Sequence, residues 1–258
     1  MSTEPKIFTK NYISKDNTFV ATHGQASTPY LYDADPATKW LTSGANDDDT
    51  LVSIIVTFYE GSVAATRTID RFMLLNHNLK TWNLYYWHSV DGWTALCNET
   101  ADAAANTIKS FTAVATTSLK LEVTATQTVD AEKYIGEMIA CALTMDIGYD
   151  FSSYEEEWRE KKTSLTMADN SIHMIYMKFT ANRYTKYGAK CMLSYLPVAT
   201  LDNLQTIKEA CAPFLFQPES ITRPEKIYFV HWTNPWAPRY VTSYKGVGYQ
   251  LPIEVDEV

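Results

Sequence analysis

The stretch TWNLYYWHSVDGWTAL (Thr81–Leu96) decides the fold. Two aromatic-rich runs flank Asp91-Gly92, a dipeptide that accepts the positive φ angles of a tight hairpin turn. Aromatic side chains favour pleated, half-buried surfaces. The runs therefore read as antiparallel strands joined directly, without the long crossover that parallel strands need. Alternation along the strands buries about half of Trp82, Tyr85, Tyr86, Trp87 and Trp93. Core packing accounts for most of these rings. An exposed groove that stacks on sugars is the minority reading.

The neighbouring segments extend this pattern. LVSIIVTFYE (51–60) is mostly apolar and reads as a central strand, and IDRFMLLNHN (69–78) as a second strand. SLKLEVTATQ (118–127) alternates Leu119, Leu121 and Val123 inward with Lys120, Glu122 and Thr124 outward, a strand with one wet face. EKYIGEMIACALTMDI (132–147) reads as a closing strand, because Gly136 weakens a helix. Residues 1–147 are thus predicted to form an N-terminal antiparallel β-sandwich. The texture changes near 148. SSYEEEWREKK (152–162) pairs Ser152 with Glu155, or Ser153 with Glu156, in capping-box spacing, with acids first and bases last. A helical linker is predicted over 148–162. Residues 163–258 read as a smaller β-rich domain with one packed helix. Its strands are SIHMIYMKFT (171–180), AKCMLSYLPV (189–198), KIYFVHWTN (226–234) and GVGYQLPIEV (246–255). The helix TLDNLQTIKEACA (200–212) puts Leu201, Leu204, Ile207 and Cys211 on one face and stops at Pro213. The fold class expected is mainly β.

Composition narrows the function. Hydrophobic residues make up 46% of the 258 and charged residues 20%, which suits a folded chain with a sizeable core. The net charge of −8 argues against a nucleic-acid groove, where phosphates need clustered Lys and Arg. No apolar run is long enough to insert in a membrane. The N-terminal MSTEPKIFTK lacks the basic-then-apolar order of a signal peptide. Cys97, Cys141, Cys191 and Cys211 form no CxxC pair, and are expected to be mostly buried thiols of a chain made in a reducing cytoplasm.

The segment YDADPATKWLTS (32–43) is the strongest hint of chemistry. Asp33-Ala34-Asp35-Pro36-Ala37-Thr38 has the outward form of the DxDx(T/V) motif of haloacid-dehalogenase-like phosphotransferases. That chemistry places the first Asp, as nucleophile, at the end of a buried parallel strand. The flank TPYLY is not such a strand, and no βαβ pattern follows. The five histidines lack metal-site spacing, and no GxSxG elbow or glycine-rich phosphate loop is present. His77 reads as a polar loop contact and His231 as a half-buried, hydrogen-bonded strand residue. Asn46-Asp47-Asp48-Asp49 could offer oxygens to calcium but lacks EF-hand spacing, and reads as a solvated acidic loop. No cofactor is expected, calcium being the one metal considered.

In context, DNTFVATHGQASTPYLYDADPATKWLTS, then LVSIIVTFYE, then IDRFMLLNHNLKTWNLYYWHSVDGWTAL resembles the discoidin-like, or factor 5/8 C-type, jelly roll of the galactose-binding-like superfamily. The resemblance covers roughly residues 10–145. Asp33, Thr38 and Trp40 match the loop D-G-x-x-x-T-x-W, with Ala34 in place of the glycine. Ile69 and Leu74 match a later strand, and Ser89, Asp91, Gly92 and Trp93 the hairpin. The resemblance implies that Asp33 and Thr38 tie a loop by hydrogen bonds and that Trp40 anchors it, with Asp91, Gly92 and Trp93 as further structural anchors. Family members often bind sugars or lipid head groups through loops at one end, and others bind only protein neighbours. In the C-terminal half, APFLFQPES, PEKIYFVHWTN and YKGVGYQLPIEVDEV resemble the closing part of tailed-phage distal-tail and minor-tail proteins.

Together these features give a leading expectation of a non-enzymatic structural component of a phage-like tail tip or baseplate. It would reside in the virion tail after synthesis in the host cytoplasm. Its partners would be other tail proteins and copies of itself, with no nucleic acid and no membrane insertion. Assembly would run through the C-terminal domain, where Trp236, Arg239 and Tyr240 are residue types enriched at binding hot spots. The alternative is a carbohydrate-binding module that recognises a surface glycan. The remote alternative is an Asp33/Asp35 phosphotransferase.

Overall fold

The computed structural model describes residues 4–33, 35, 37–160, 162–166, 172–176, 185–243 and 246–257, with backbone only for those of 157–186. The chain divides into two compact units. One comprises Lys10–Thr144 with Arg223–Lys226. The other comprises the chain up to Thr9, Met145–Thr222 and Ile227–Val258.

The first unit is an antiparallel two-sheet sandwich. Its five-stranded sheet runs, edge to edge, Thr18–Ala21, Val52–Thr57, Ser118–Val123, Trp82–His88 and Gly92–Glu99. Its four-stranded sheet runs Thr107–Thr116, Arg67–His77, Tyr134–Cys141 and Trp40–Leu41. Every pairing in both sheets is antiparallel. Alternation explains the inner faces: Val52, Ile54 and Val56 are buried on one strand, and Leu119, Leu121 and Val123 on its neighbour. Phe72 of one sheet meets Trp82 of the other at a ring-centroid distance of 6.2 Å. Trp40 and Phe58 complete the large side chains of this core.

Gly24 seats Trp40. Its φ of 66° suits glycine, and a Cβ there would collide with the Leu41 carbonyl oxygen and press on the Trp40 indole nitrogen. Thr107–Thr116 is a strand that the sequence reading passes over. It lies at a sheet edge, and its register shifts between Ser110 and Val114. The shift breaks the period-two pattern that would reveal it.

The second unit is a mixed-length antiparallel sheet with one helix. Its order is Met145–Asp146, Lys6–Phe8, Phe214–Gln217, Tyr228–Trp232, Gly246–Glu257, Thr185–Leu196, Phe151–Glu160, with Arg239–Ser243 also paired to Gly246–Glu257. The helix Val198–Glu209 buries Leu201, Leu204 and Ile207. Cys211 leaves that face. It lies beyond the helix end with a φ of 51° and is exposed.

Two boundaries differ from the sequence reading. The helix expected over 148–162 is instead the strand Phe151–Glu160, paired antiparallel with Thr185–Leu196 with a register shift between Phe151 and Ser153. Local capping signals lose here to a long ladder and to aromatic packing. Phe151 stacks on Tyr154, and the Tyr154 and Tyr187 hydroxyls share a 2.8 Å hydrogen bond. The domain expected over 1–147 begins later, because Lys6–Phe8 pairs with Met145–Asp146 and Phe214–Gln217 in the second unit. Of the strand expected over 171–180, Ile172–Tyr176 is present, and the remainder lies outside the described residues.

Candidate functional site

The five-stranded sheet has one face on the core and one toward solvent. Trp82, Leu84, Leu119, Leu121 and Val123 are buried on the inner side. The pleat therefore turns Asn83, Tyr85 and Trp87 outward. Lys120 and Glu122 flank them on one neighbouring strand, and Trp93 and Asn98 on the other.

These outward side chains form one connected row. Trp87 is 42% exposed. Trp93 lies opposite it across the ladder and meets it edge to face, with centroids 5.3 Å apart. The Lys120 ammonium sits 4.6 Å from the Tyr85 ring centroid and 5.2 Å from that of Trp93. Its charge is matched by Glu122, 2.7 Å away. Burial, then the Glu122 charge and hydrogen bond, hold the Tyr85 phenol above its usual range, so it stays a neutral donor. At the far end of the row Asn98 Nδ2 donates to Asn83 Oδ1 at 2.6 Å.

The backbone under this row is pinned. Buried Thr116 accepts the N–H of Trp87 at 3.1 Å and that of Ser118 at 3.2 Å on its hydroxyl oxygen. The hairpin closes through a three-residue loop, Ser89 to Asp91, with Gly92 at φ 72°. The Asp91-Gly92 turn expected as a two-residue hairpin is thus one residue longer, with Gly92 carrying the positive φ. His88 Nδ1 lies 2.7 Å from Asp91 Oδ2 across it. The row combines apolar ring faces with amide, carboxylate and ammonium groups on a rigid sheet. That is the composition of a surface that orients a polar ligand through a few fixed hydrogen bonds.

The other residues singled out from sequence lie elsewhere. Asp33 is exposed, and its Oδ2 accepts the Thr38 hydroxyl at 2.7 Å while its Oδ1 accepts the Asp35 N–H at 3.1 Å. Asp33 follows the 3-10 turn Gln25–Leu31, not the end of a buried parallel strand, so the geometry for phosphoryl transfer is not here. Trp40 opens a strand and is fully buried. In the loop Asn46 to Asp49, the ammonium of fully buried Lys133 donates to the carbonyls of Ala45 (3.0 Å) and Asp47 (2.8 Å). Asp48 accepts the Thr126 N–H and hydroxyl. Asn46, Asp47 and Asp49 are exposed, so the loop is solvated as expected, while its backbone carbonyls hold the Lys133 ammonium. Among the described residues, no three His, Cys, Asp or Glu side chains converge to hold a metal ion.

His77 is buried at its strand end and makes polar contacts there. Its Nδ1 accepts the Leu79 N–H at 3.1 Å, and its Nε2 lies 3.1 Å from the Thr107 hydroxyl. Thr107 donates in turn to Asp102 at 2.7 Å, and Trp82 donates to the same carboxylate oxygen at 3.1 Å. His231 is exposed rather than half-buried. Cys141 and Cys191 are buried, Cys97 is half-buried and Cys211 is exposed, all as free thiols. Burial raises the Cys97 thiol to about 11 and Cys141 to about 12. In the second unit, Trp236 is half-buried against Trp232, while Arg239 and Tyr240 are exposed. No described helix is long and apolar enough to cross a membrane.

The aromatic row was partly visible in the sequence as a list of rings. Lys120, Glu122, Asn83 and Asn98 were not tied to it, because their meeting depends on strand register.

No protein-family model and no curated protein matches the sequence. Solved structures do match. One is CpGH89CBM32-5 from Clostridium perfringens, in complex with GalNAc-β-1,3-galactose: 15% identity, 52% of this chain, 100% of that chain, TM-score 0.43. Another is a mutant of chitosan-binding module 1 from the chitosanase/glucanase of Paenibacillus sp. IK-5: 15% identity, 52% and 99% coverage, TM-score 0.43. A third is the family 32 carbohydrate-binding module of EndoD from Streptococcus pneumoniae: 14% identity, 52% and 99% coverage, TM-score 0.42. Likeness at this level assigns no ligand to this chain.

Proposed function

We propose that the sandwich unit is a glycan-binding module and that the outward row Asn83–Tyr85–Trp87 with Trp93, Lys120, Glu122 and Asn98 is its binding surface. One observation carries the reading. An exposed indole, braced edge-on by a second indole, shares a rigid sheet face with paired amides and a paired ammonium and carboxylate. The C–H face of a pyranose ring is weakly positive and stacks on the negative face of an aromatic ring. Its hydroxyls need donors and acceptors at fixed positions, and the Asn, Glu, Lys and Tyr side chains provide both. Trp87 is solvent-exposed, so its replacement leaves the core intact. The test is a glycan array read with the whole chain and with Trp87→Ala. We expect binding to a subset of glycans and at least a tenfold loss in the variant, with an unchanged melting temperature. Undiminished binding by Trp87→Ala would move the site off this face.

A second reading, assembly with copies of itself or with neighbouring proteins, draws on the second unit. Arg239–Ser243 pairs with Gly246–Glu257 on one side, and Tyr240 on it is 62% exposed. An open, exposed strand offers backbone groups to a partner. A phage-like tail component is the specific form of this reading, and none of the matching structures reported above is one. Sedimentation of the whole chain and of Tyr240→Asp distinguishes the two cases: a self-association that the variant abolishes favours assembly.

A further inference from the structure

We infer, resting on the glycan reading above, that the sheet face takes a neutral oligosaccharide of several residues lying along the strand direction. The first argument is length. Outward positions on one strand repeat every second residue, so Asn83 and Trp87 are separated by about 13 Å along the strand. Aromatic contact lies at one end, the Tyr85–Lys120 pair at the middle, and the Asn83–Asn98 amides with Glu122 at the other. A single pyranose ring on Trp87 cannot also reach the amides.

The second argument is openness. Opposite Tyr85 the neighbouring strand carries Ala95, which is exposed and has the smallest side chain in the row. It leaves a low path between Trp93 and Asn98. On the other side, beyond Lys120 and Glu122, the outward positions are Ile55 and Ser53, with Val20 at the edge strand 60% exposed. None of these is large enough to wall off that side of the path.

The third argument is charge. Lys120 and Glu122 neutralise each other at 2.7 Å, and the other side chains of the row are uncharged. The chain as a whole carries −8. A polyanionic glycan would be repelled by that field and would find no unpaired cation on the row. A neutral glycan meets hydrogen-bonding groups without either cost. Lys120 has three N–H donors and gives one to Glu122, so it retains donors for a ligand hydroxyl.

The test is a titration followed by tryptophan fluorescence, using the whole chain. The probes are neutral galactan-, xylan-, glucan- and mannan-derived oligosaccharides from one to six residues, with heparin and hyaluronan oligosaccharides as anionic counterparts. For the neutral series that binds, we expect affinity to rise at least tenfold from monosaccharide to tetrasaccharide. We expect less than a twofold change between 50 and 500 mM salt. Asn98→Ala should weaken the hexasaccharide more than the disaccharide. Equal affinity for monosaccharide and hexasaccharide, or binding confined to the anionic probes with a steep salt dependence, overturns this inference and leaves the glycan reading standing. Failure of every probe, together with an empty array, overturns both.

Discussion

At His77 the fold commits an imidazole to hydrogen bonds that its neutral form makes. Nδ1 accepts the Leu79 N–H, so it carries no proton. Thr107 gives its own proton to Asp102, so Nε2–H is the donor to Thr107. Burial lowers the His77 pKa below 6.5, and the Asp102 charge opposes that shift without reversing it. The unfolded imidazole therefore takes up a proton first as pH falls. The His77 contribution is complete above about pH 6.5 and is lost below it, with a slope of at most about 1.4 kcal/mol per pH unit. Denaturant midpoints between pH 7.5 and 5 should fall less steeply in His77→Gln than in the parent. Parallel slopes would remove His77 from the account. Trp40 makes a different residue-scale case. It is fully buried, and its indole nitrogen has no hydrogen-bond acceptor among the described residues. Trp40→Ala should cost about 3–5 kcal/mol by leaving a cavity. Trp40→Phe should cost clearly less, because it removes an unsatisfied N–H along with some packing. A Phe variant as unstable as the Ala variant would mean that the indole nitrogen is satisfied.

At the scale of elements, close approach makes the sharpest demand. Gly24 sits against the Leu41 carbonyl at a φ of 66°, next to the strand that carries Trp40. Gly24→Ala should cost at least about 1–3 kcal/mol through strain and overpacking. Gly92→Ala should cost less, near 1 kcal/mol, since its φ of 72° is equally unusual but the added methyl meets the Trp87 ring only at ordinary contact distance. Thermal unfolding of the two variants gives the order, and a reversed order would show that the Gly24 loop yields freely. The same scale explains what could be read from sequence. Val52–Thr57 and Ser118–Val123 are legible because inward apolar residues alternate along them, and Arg67–His77 because it holds a short apolar run in which Phe72, Met73 and Leu74 are all buried. Phe151–Glu160 is not, because its serines and glutamates imitate a helix start and its strand partner begins more than twenty residues on. Lys6–Phe8 is three residues long, and its partners lie near 146 and 216. In the candidate site the rings were legible, yet the face was not. The register of the hairpin shifts between Leu84 and Tyr85, which decides that Ala95, not Leu96, lies opposite Tyr85.

At the scale of the molecule, chain order and unit membership part company. The first described strand belongs with the C-terminal sheet, so the two ends of the chain build one core and the middle builds the other. Ile7 is 1% exposed and Phe8 is fully buried. Burying two such side chains contributes about 3–6 kcal/mol in total. That is a large part of the roughly 5–15 kcal/mol by which a domain is stable. Removing residues 1–9 also strips the backbone partner from Met145–Asp146 and from one edge of Phe214–Gln217. The deletion should therefore weaken the unit built from residues 145–258 and spare the sandwich, although the missing residues precede the sandwich in sequence. Calorimetry of the parent should resolve two transitions, and the deletion should lower one by several degrees while the other holds. Limited proteolysis should then cut first within 145–258 and leave a protected fragment near 10–144. A fall in the sandwich transition, or cleavage that begins inside 10–144, would assign the N-terminal strand to the wrong unit. A deletion that moves neither transition would mean that Lys6–Phe8 adds little to the sheet it joins.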